Sequence, residues 1–267
     1  MNIWLNSGIV ENYERAISIA DRGFTLGDGL FETMLARDGA PLRLDAHLRR
    51  LRNGAEILNL PIPYDDTGLA HALAETLHAN GLEAGVLRLT LSRGPAERGL
   101  IPPKGTEPTL LITASAVPPP PPPAGAVICT VTNRNETSPL SRCKSLCYLD
   151  NILARQEAET RGANEALLLN SRGKLADATI ANIFLVIENR ILTPPVSDGA
   201  LPGTLREAII DEFDGIESTL DPNEIGRATE GFLTNSLGIR PLLSVDGSPV
   251  GNGETGATTA RLMEVLP

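Results

Sequence analysis

The chain has 267 residues, 42% of them hydrophobic, with 23 Lys and Arg against 33 Asp and Glu for a formal net charge of -10. That length allows one large domain or two small ones. An acidic balance without a Lys/Arg cluster excludes a nucleic-acid or anionic-membrane surface, while single arginines can still hold a small anion. Cys129, Cys143 and Cys147 are an odd number with no disulfide framework, and His47, His71 and His78 add no paired metal-ligand spacing. No metal site is therefore expected. The start MNIWLNSGIVENYER lacks a basic segment leading into an apolar run, and no stretch reaches spanning length, so a cytoplasmic protein is expected.

Ile3 to Leu5 and Ser7 to Val10 predict two short strands around a turn. Gly23, Gly27 and Gly29 then predict a tight loop feeding a strand over Phe31 to Ala36, with a hairpin turn at Asp38-Gly39. The glycine spacing matches neither a dinucleotide nor a Walker motif. Asp45 is expected to cap a helix whose buried stripe is Leu48, Leu51, Ala55 and Leu58. Its other faces carry Arg49, Arg50 and Arg52, and His47 reads as a structural hydrogen-bonder. A second helix is expected over Thr67 to Ala79, then strands at Val86 to Ser92 and Thr109 to Ala114. Between those strands lies the Pro/Gly-rich loop SRGPAERGLIPP with Arg93 and Arg98.

Pro118 to Pro123 is an unbroken proline run, extended, rigid and unfit for a sheet interior. It reads as a connector at 118–125 between residues 1–117 and 126–267, or else as a ligand for a proline-binding module. The second half predicts a strand at Val127 to Val131, then SPLSRCKSLCYLDNILARQEA. Leu146, Leu149, Ile152 and Leu153 there have the rhythm of a helix that buries one face, which puts Lys144 where a loop enters it. A lone lysine is ordinarily a hydrated surface charge. Here few charges surround it, and an amine that loses hydration is held neutral and can condense with a carbonyl. Such a lysine suits a Schiff base. Strands at Glu165 to Leu169, Ile183 to Ile187 and Ile191 to Leu192, turns at Asn170 to Gly173 and Glu188 to Arg190, and a last helix at Thr255 to Val265 complete an α/β (α+β) chain. They predict an antiparallel sheet or barrel with flanking helices.

The run SPLSRxKSLxYLxNILAxxEA resembles the lysine segment of the class IV aminotransferase family, the pyridoxal-phosphate enzymes of fold type IV. DRGFxxGDGLFET, HLxRLxxxAEIL, LPGTLREAII and GFLTNSLGIRPL extend the likeness over nearly the whole chain. The resemblance implies a small α/β domain, a larger β-barrel-like domain and a cofactor between them, in a homodimer that acts on a small amino-carboxylate. By it, Lys144 holds pyridoxal 5'-phosphate as a Schiff base and shuttles protons, and Tyr148 lies near the cofactor's phenolic oxygen. Arg50 binds the phosphate. Asp177, in LADATIANIF, stands where the family has glutamate and would pair with the ring nitrogen, one methylene short, with Thr179 and Asn182 as neighbouring cofactor contacts. Leu201 would pack on the ring. Gly203, Thr204 and Leu205 would present a helix start to the phosphate, and Asn235 and Ser236 would close that site; the threonine common at the second helix position is here Leu205.

Thr33 in GLFET, SRGxxxRG, RNxxSPLSRxKSL and FLTNSLGIRP lean toward 4-amino-4-deoxychorismate lyase, in which the matching threonine assists proton transfer. An aminotransferase of D-amino or branched-chain amino acids is the alternative, and a non-catalytic cofactor-binding relative a second. Cys147 replaces the asparagine of KSLNYL, and SLGIRP is one residue shorter than SLxGIRP. The Tyr, Arg, His carboxylate trap of D-amino-acid aminotransferases corresponds here to Phe31, Arg98 and Leu100. Phe31 and Arg98 are thus the substrate candidates.

Overall fold

Strict alternation of leucine with smaller or polar residues builds the first sheet: Leu87, Leu89 and Leu91 are fully buried while Arg88 between them is exposed. The computed structural model describes residues 1–11 and 16–266. By its internal contacts the chain divides into two units, Met1–Pro119 with Cys143–Cys147, and Pro120–Arg142 with Tyr148–Pro267.

The first unit contains β1 (Ile3–Leu5), β2 (Gly8–Val10), α1 (Arg22–Leu26), β3 (Gly29–Arg37), β4 (Ala40–Pro41), α2 (Leu44–Leu58), α3 (Asp66–Ala79), β5 (Gly85–Ser92) and β6 (Thr109–Ser115). Its sheet is antiparallel, in the order β2-β1-β6-β5-β3-β4. Leu30 and Met34 of β3, the β5 leucines, and Leu110 and Ile112 of β6 pack on Leu48 and Leu51 of α2 and Leu69, Leu73 and Leu77 of α3. Each such leucine contributes about 1.5–3 kcal/mol relative to exposure. At the β3–β4 turn Asp38 and Gly39 take positive φ, 50 and 74, as strand twist demands of a two-residue hairpin. Asp45 is not the cap of α2: the N-cap is Arg43, in the left-handed region, and Asp45 lies in the first turn, where its charge still complements the helix dipole. Part of the expected glycine loop is helix, since Asp21 accepts from the Gly23 N–H and caps α1 before Gly27 (φ 68) ends it.

The second unit contains β7 (Ala124–Ile128), α4 (Leu149–Thr160), β8 (Glu165–Leu169), β9 (Leu175–Ala178), β10 (Asn182–Ile187), β11 (Arg190–Thr193), α5 (Thr204–Glu212), β12 (Ile216–Glu217), β13 (Glu230–Asn235), β14 (Gly238–Val245), β15 (Ser248–Pro249) and α6 (Ala257–Val265). One curled sheet runs β12-β11-β10-β13-β14-β7-β8-β9, with β15 on β14. It is mixed rather than antiparallel, because β7 pairs in parallel with both β14 and β8, and α4 supplies the crossover that parallel pairing needs. The strand expected at Val127 to Val131 begins earlier and ends at Ile128. Beyond it the Glu157 carboxylate accepts from the Thr130 N–H and hydroxyl, which draws the chain onto α4.

The leucine stripe expected to bury α4 does not do so. Leu149 is 75% exposed, and Ile152 and Leu153 are also exposed. Ala154 and Ala158, four apart, instead pack on Val127, Cys129, Ala166 and Leu168. Small residues let the helix axis approach the sheet closely, which the bulkier leucines would prevent. Among the described residues no helix is long and apolar enough to cross a membrane, and no group of three or more His, Cys, Asp or Glu could hold a metal ion.

Candidate active site

Lys144 is placed by a strip of ladder along β3. The Phe31 N–H donates to the Lys144 carbonyl (2.9 Å) and the Leu146 N–H to the Gly29 carbonyl (3.0 Å), with Ser145 bridged to Leu30. This approach needs a glycine, because a Cβ at Gly29 would lie 2.5 Å from the Leu91 carbonyl and 2.8 Å from Leu146 Cδ1. Lys144 Nζ lies 4.4 Å from the Phe31 ring centroid, and the Arg88 guanidinium carbon lies 3.9 Å from it. Two cations thus share one aromatic ring. Thr33, two residues on from Phe31, falls on the same face of β3 and pairs in register with Arg88. Arg88 did not stand out in the sequence because an arginine between leucines reads as the wet face of a half-buried strand.

The opposite face of β3 carries Glu32, 1% exposed. Arg50 donates from Nε to Oε1 (2.8 Å) and from Nη2 to Oε2 (2.5 Å), and His47 Nδ1 lies 2.6 Å from Oε2. Burial pushes the Glu32 carboxyl up, but the charge and hydrogen bonds of Arg50, with His47, outweigh it and hold the carboxyl at about 2. Arg50 is therefore buried in an ion pair and not on a solvated face, and His47 is the structural hydrogen-bonder expected. A charged residue between Leu30 and Met34 in an apolar alternation was the available signal for Glu32.

A second clasp organises the loop after β5. Asp28 Oδ2 accepts from Nε of both Arg22 and Arg93, each at 2.8 Å, while Arg93 also donates to the Leu58 and Asn59 carbonyls. Arg22 donates to the carbonyls of Gly99 (2.7 Å) and Leu100 (2.9 Å). Arg98, just before them, is exposed.

In the second unit Asp177 is buried at the end of β9. Oδ1 accepts from Asn182 Nδ2 (2.9 Å) and Oδ2 from the Leu201 N–H (2.9 Å), and Asn182 Nδ2 also donates to the Leu201 carbonyl (2.8 Å). Burial pushes the Asp177 carboxyl up to about 6, against the opposing pull of Arg134, the Leu201 N–H, Arg206 and Asn182. Gly203 is the N-cap of α5 and has no side chain with which to cap that helix, which starts at buried Thr204 and Leu205. A Cβ at Gly203 would overlap Asn182 Oδ1. Thr179 is committed elsewhere: its hydroxyl and N–H both donate to Glu165, a buried carboxylate that also faces Arg155 (3.1 Å) and Arg240 (3.5 Å). Asn235 and Ser236 lie half-buried where β13 turns into β14, and Asn235 Oδ1 accepts from the Leu237 N–H. Tyr148, half-buried, is the N-cap residue of α4.

These donors fit pyridoxal phosphate on their chemistry. The chain offers a partly shielded lysine amine, a buried carboxylate that a ring N–H would favour in its charged form, and a helix start with a glycine N-cap, of the kind that suits an anion. Each unit thus carries groups of the kinds that pyridoxal-phosphate enzymes use. A family model described as "Amino-transferase class IV" matches residues 29–245, and the chain belongs to that family, whose enzymes use pyridoxal phosphate. A Methanocaldococcus jannaschii protein named "Putative branched-chain-amino-acid aminotransferase" is 33% identical over 99% of this chain and 94% of its own. The D-alanine aminotransferase of Bacillus licheniformis is 27% identical over 100% of this chain and 96% of its own. The solved structure of a "Putative 4-amino-4-deoxychorismate lyase" from Legionella pneumophila has a TM-score of 0.86 and 32% identity, and covers 94% of each chain.

Proposed function

We propose that the chain is a 4-amino-4-deoxychorismate lyase, which converts its substrate to 4-aminobenzoate and pyruvate. The observation that carries this reading is Thr33, whose side chain shares a face of β3 with Phe31, the ring that Lys144 Nζ overlies. Bound pyridoxal phosphate supplies an electron sink that lets a proton leave the substrate. Lys144 is the base that accepts this proton. Elimination of pyruvate also needs a proton delivered to the departing enolpyruvyl carbon, and the Thr33 hydroxyl is a second proton-carrying group on the lysine's face. Arg88, a planar fork against the same Phe31 ring as Lys144, matches a substrate carboxylate, and Arg98 is a second candidate for such a carboxylate.

For the cofactor, Asp177 would face the ring nitrogen, with Asn182 and the Leu201 N–H orienting its carboxylate. Leu201 would pack on the ring and Tyr148 would meet the phenolic oxygen. Arg50, the α5 start at Gly203, Thr204 and Leu205, and Asn235 with Ser236 would take the phosphate. Thr179 would act through Glu165 and the backbone. The second reading is an aminotransferase of branched-chain or D-amino acids, favoured by the two curated relatives above. Product analysis separates the two. Release of 4-aminobenzoate from aminodeoxychorismate supports the lyase. Alanine or glutamate formed from pyruvate or 2-oxoglutarate, with no 4-aminobenzoate, overturns it.

The exposed apolar side chains of Leu100 and Ile101, and of Leu149, Ile152 and Leu153, support a homodimer. A monodisperse active monomer in light scattering would refute that. None of the three cysteines is in a disulfide, and two of them are buried, which suits a reducing cytoplasm.

A further inference from the structure

We propose that Glu32, seated by His47, is a positioning residue that aims the Arg50 guanidinium at the cofactor phosphate; this rests on the phosphate reading of Arg50 given above. Glu32 lies on the core face of β3 between Leu30 and Met34, where the packing pattern favours an apolar side chain. A buried ion pair seldom adds stability over a well-packed hydrophobic residue of similar volume, because removing two charges from water costs several kcal/mol per ion. Stability alone is thus a poor reason for a carboxylate at this position.

Geometry supplies a better one. Glu32 takes Arg50 side-on, through Nε and Nη2. Because the guanidinium is planar and rigid, two bonds to that edge fix rotation about Cδ–Nε and so the direction of the opposite, Nη1, corner. His47 occupies Oε2 as well, at 2.6 Å, so the carboxylate cannot swing about Cγ–Cδ without losing a second partner. His47 and Arg50 are three residues apart and therefore on one face of α2, so the helix presents both to the same carboxylate. The charge balance excludes the simplest alternative. A carboxylate beside Arg50 weakens the net pull on a phosphate, so its contribution is direction and not attraction.

The prediction is selective for the phosphate. Cofactor-free protein is dialysed to equilibrium against pyridoxal phosphate and, separately, against pyridoxal, which lacks the phosphate. Glu32→Gln should weaken pyridoxal-phosphate binding about ten- to a hundredfold, by analogy with the loss of the outer partner of a metal-ligating residue, and leave pyridoxal binding unchanged. In an Arg50→Ala background Glu32→Gln should change nothing further. Equal weakening of both ligands, as general loosening of the fold would give, overturns the inference, and so does an unchanged ratio. An Arg50→Ala protein with an unaltered ratio overturns the phosphate reading of Arg50 itself. Should Glu32→Gln fail to fold, Glu32→Asp keeps the charge but withdraws it by one methylene, and the same ratio decides. The phosphorus-31 resonance of bound pyridoxal phosphate should shift in either Glu32 variant.

Discussion

Gly203→Ala isolates the contact that holds Asp177 in place. Gly203 has φ -72 and ψ 138, a conformation open to any residue, so the substitution carries no backbone penalty. Its whole effect is steric: the new methyl would overlap Asn182 Oδ1 and sit 3.3 Å from Arg206 Cβ. The least costly escape is rotation of the Asn182 amide, which gives up its bonds to Asp177 (2.9 Å) and to the Leu201 carbonyl (2.8 Å). A bond to a charged acceptor and one to a neutral acceptor together amount to roughly 2–4 kcal/mol. For a chain of this size that lowers the melting temperature by roughly 4–16 °C. Urea and thermal unfolding of the cofactor-free protein, followed by circular dichroism, measure the cost. The stricter check is a double-mutant cycle. If the methyl acts only through Asn182, Gly203→Ala should cost less than about 0.5 kcal/mol once Asn182→Ala is present. Full additivity of the two, or a cost below about 1 kcal/mol for the single variant, would refute the reasoning.

Asp177 should titrate at about 6 in cofactor-free protein instead of at its ordinary 3.8. Since the folded value is the higher, its contribution to stability is complete below pH 3.8 and disappears as pH rises through about 6. That is about 3 kcal/mol by neutral pH, and a carbon-13 carboxyl resonance of Asp177 that titrates near 3.8 would contradict it. Ala158→Leu, set against β7 and β8 where there is no room, should cost about 1–3 kcal/mol in the same unfolding assays; a neutral result would mean that α4 does not rest on its alanines. Lys144→Ala should abolish both turnover and the lysine-dependent visible absorbance of the bound cofactor, and an active, coloured variant would remove the basis of the mechanism.

Patterns of period two and paired turn residues were legible in the sequence wherever one face of an element is apolar and the other is not. β5 and the Asp38-Gly39 turn after β3 were readable for that reason, whereas α3 showed one apolar helical face and β8 is a short run buried on both faces. The lysine segment and the Asp177 and α5 segments were found through motifs, which report local chemistry. Partnerships between distant segments were not legible. Nothing at positions 47 and 50 announces that both side chains meet at residue 32, and nothing in ERGL announces that the carbonyls after Arg98 end on Arg22. α4 misled for a related reason. Periodicity identifies two stripes on that helix, leucine and alanine, and hydrophobicity alone selects the larger side chains, whereas close approach to a sheet selects the smaller.

The membership of Cys143–Cys147 in the first unit bears on synthesis. A nascent chain that has emerged only as far as Pro119 has every strand of the first sheet, yet the Phe31 amide and the Gly29 carbonyl still await the carbonyl of Lys144 and the amide of Leu146. The edge of β3 stays open until the ribosome has delivered the intervening prolines and β7. Truncation at the proline run should therefore yield a fragment with an uncovered strand edge, prone to pair with other chains. A split gene would have to carry residues 143–147 in the first half.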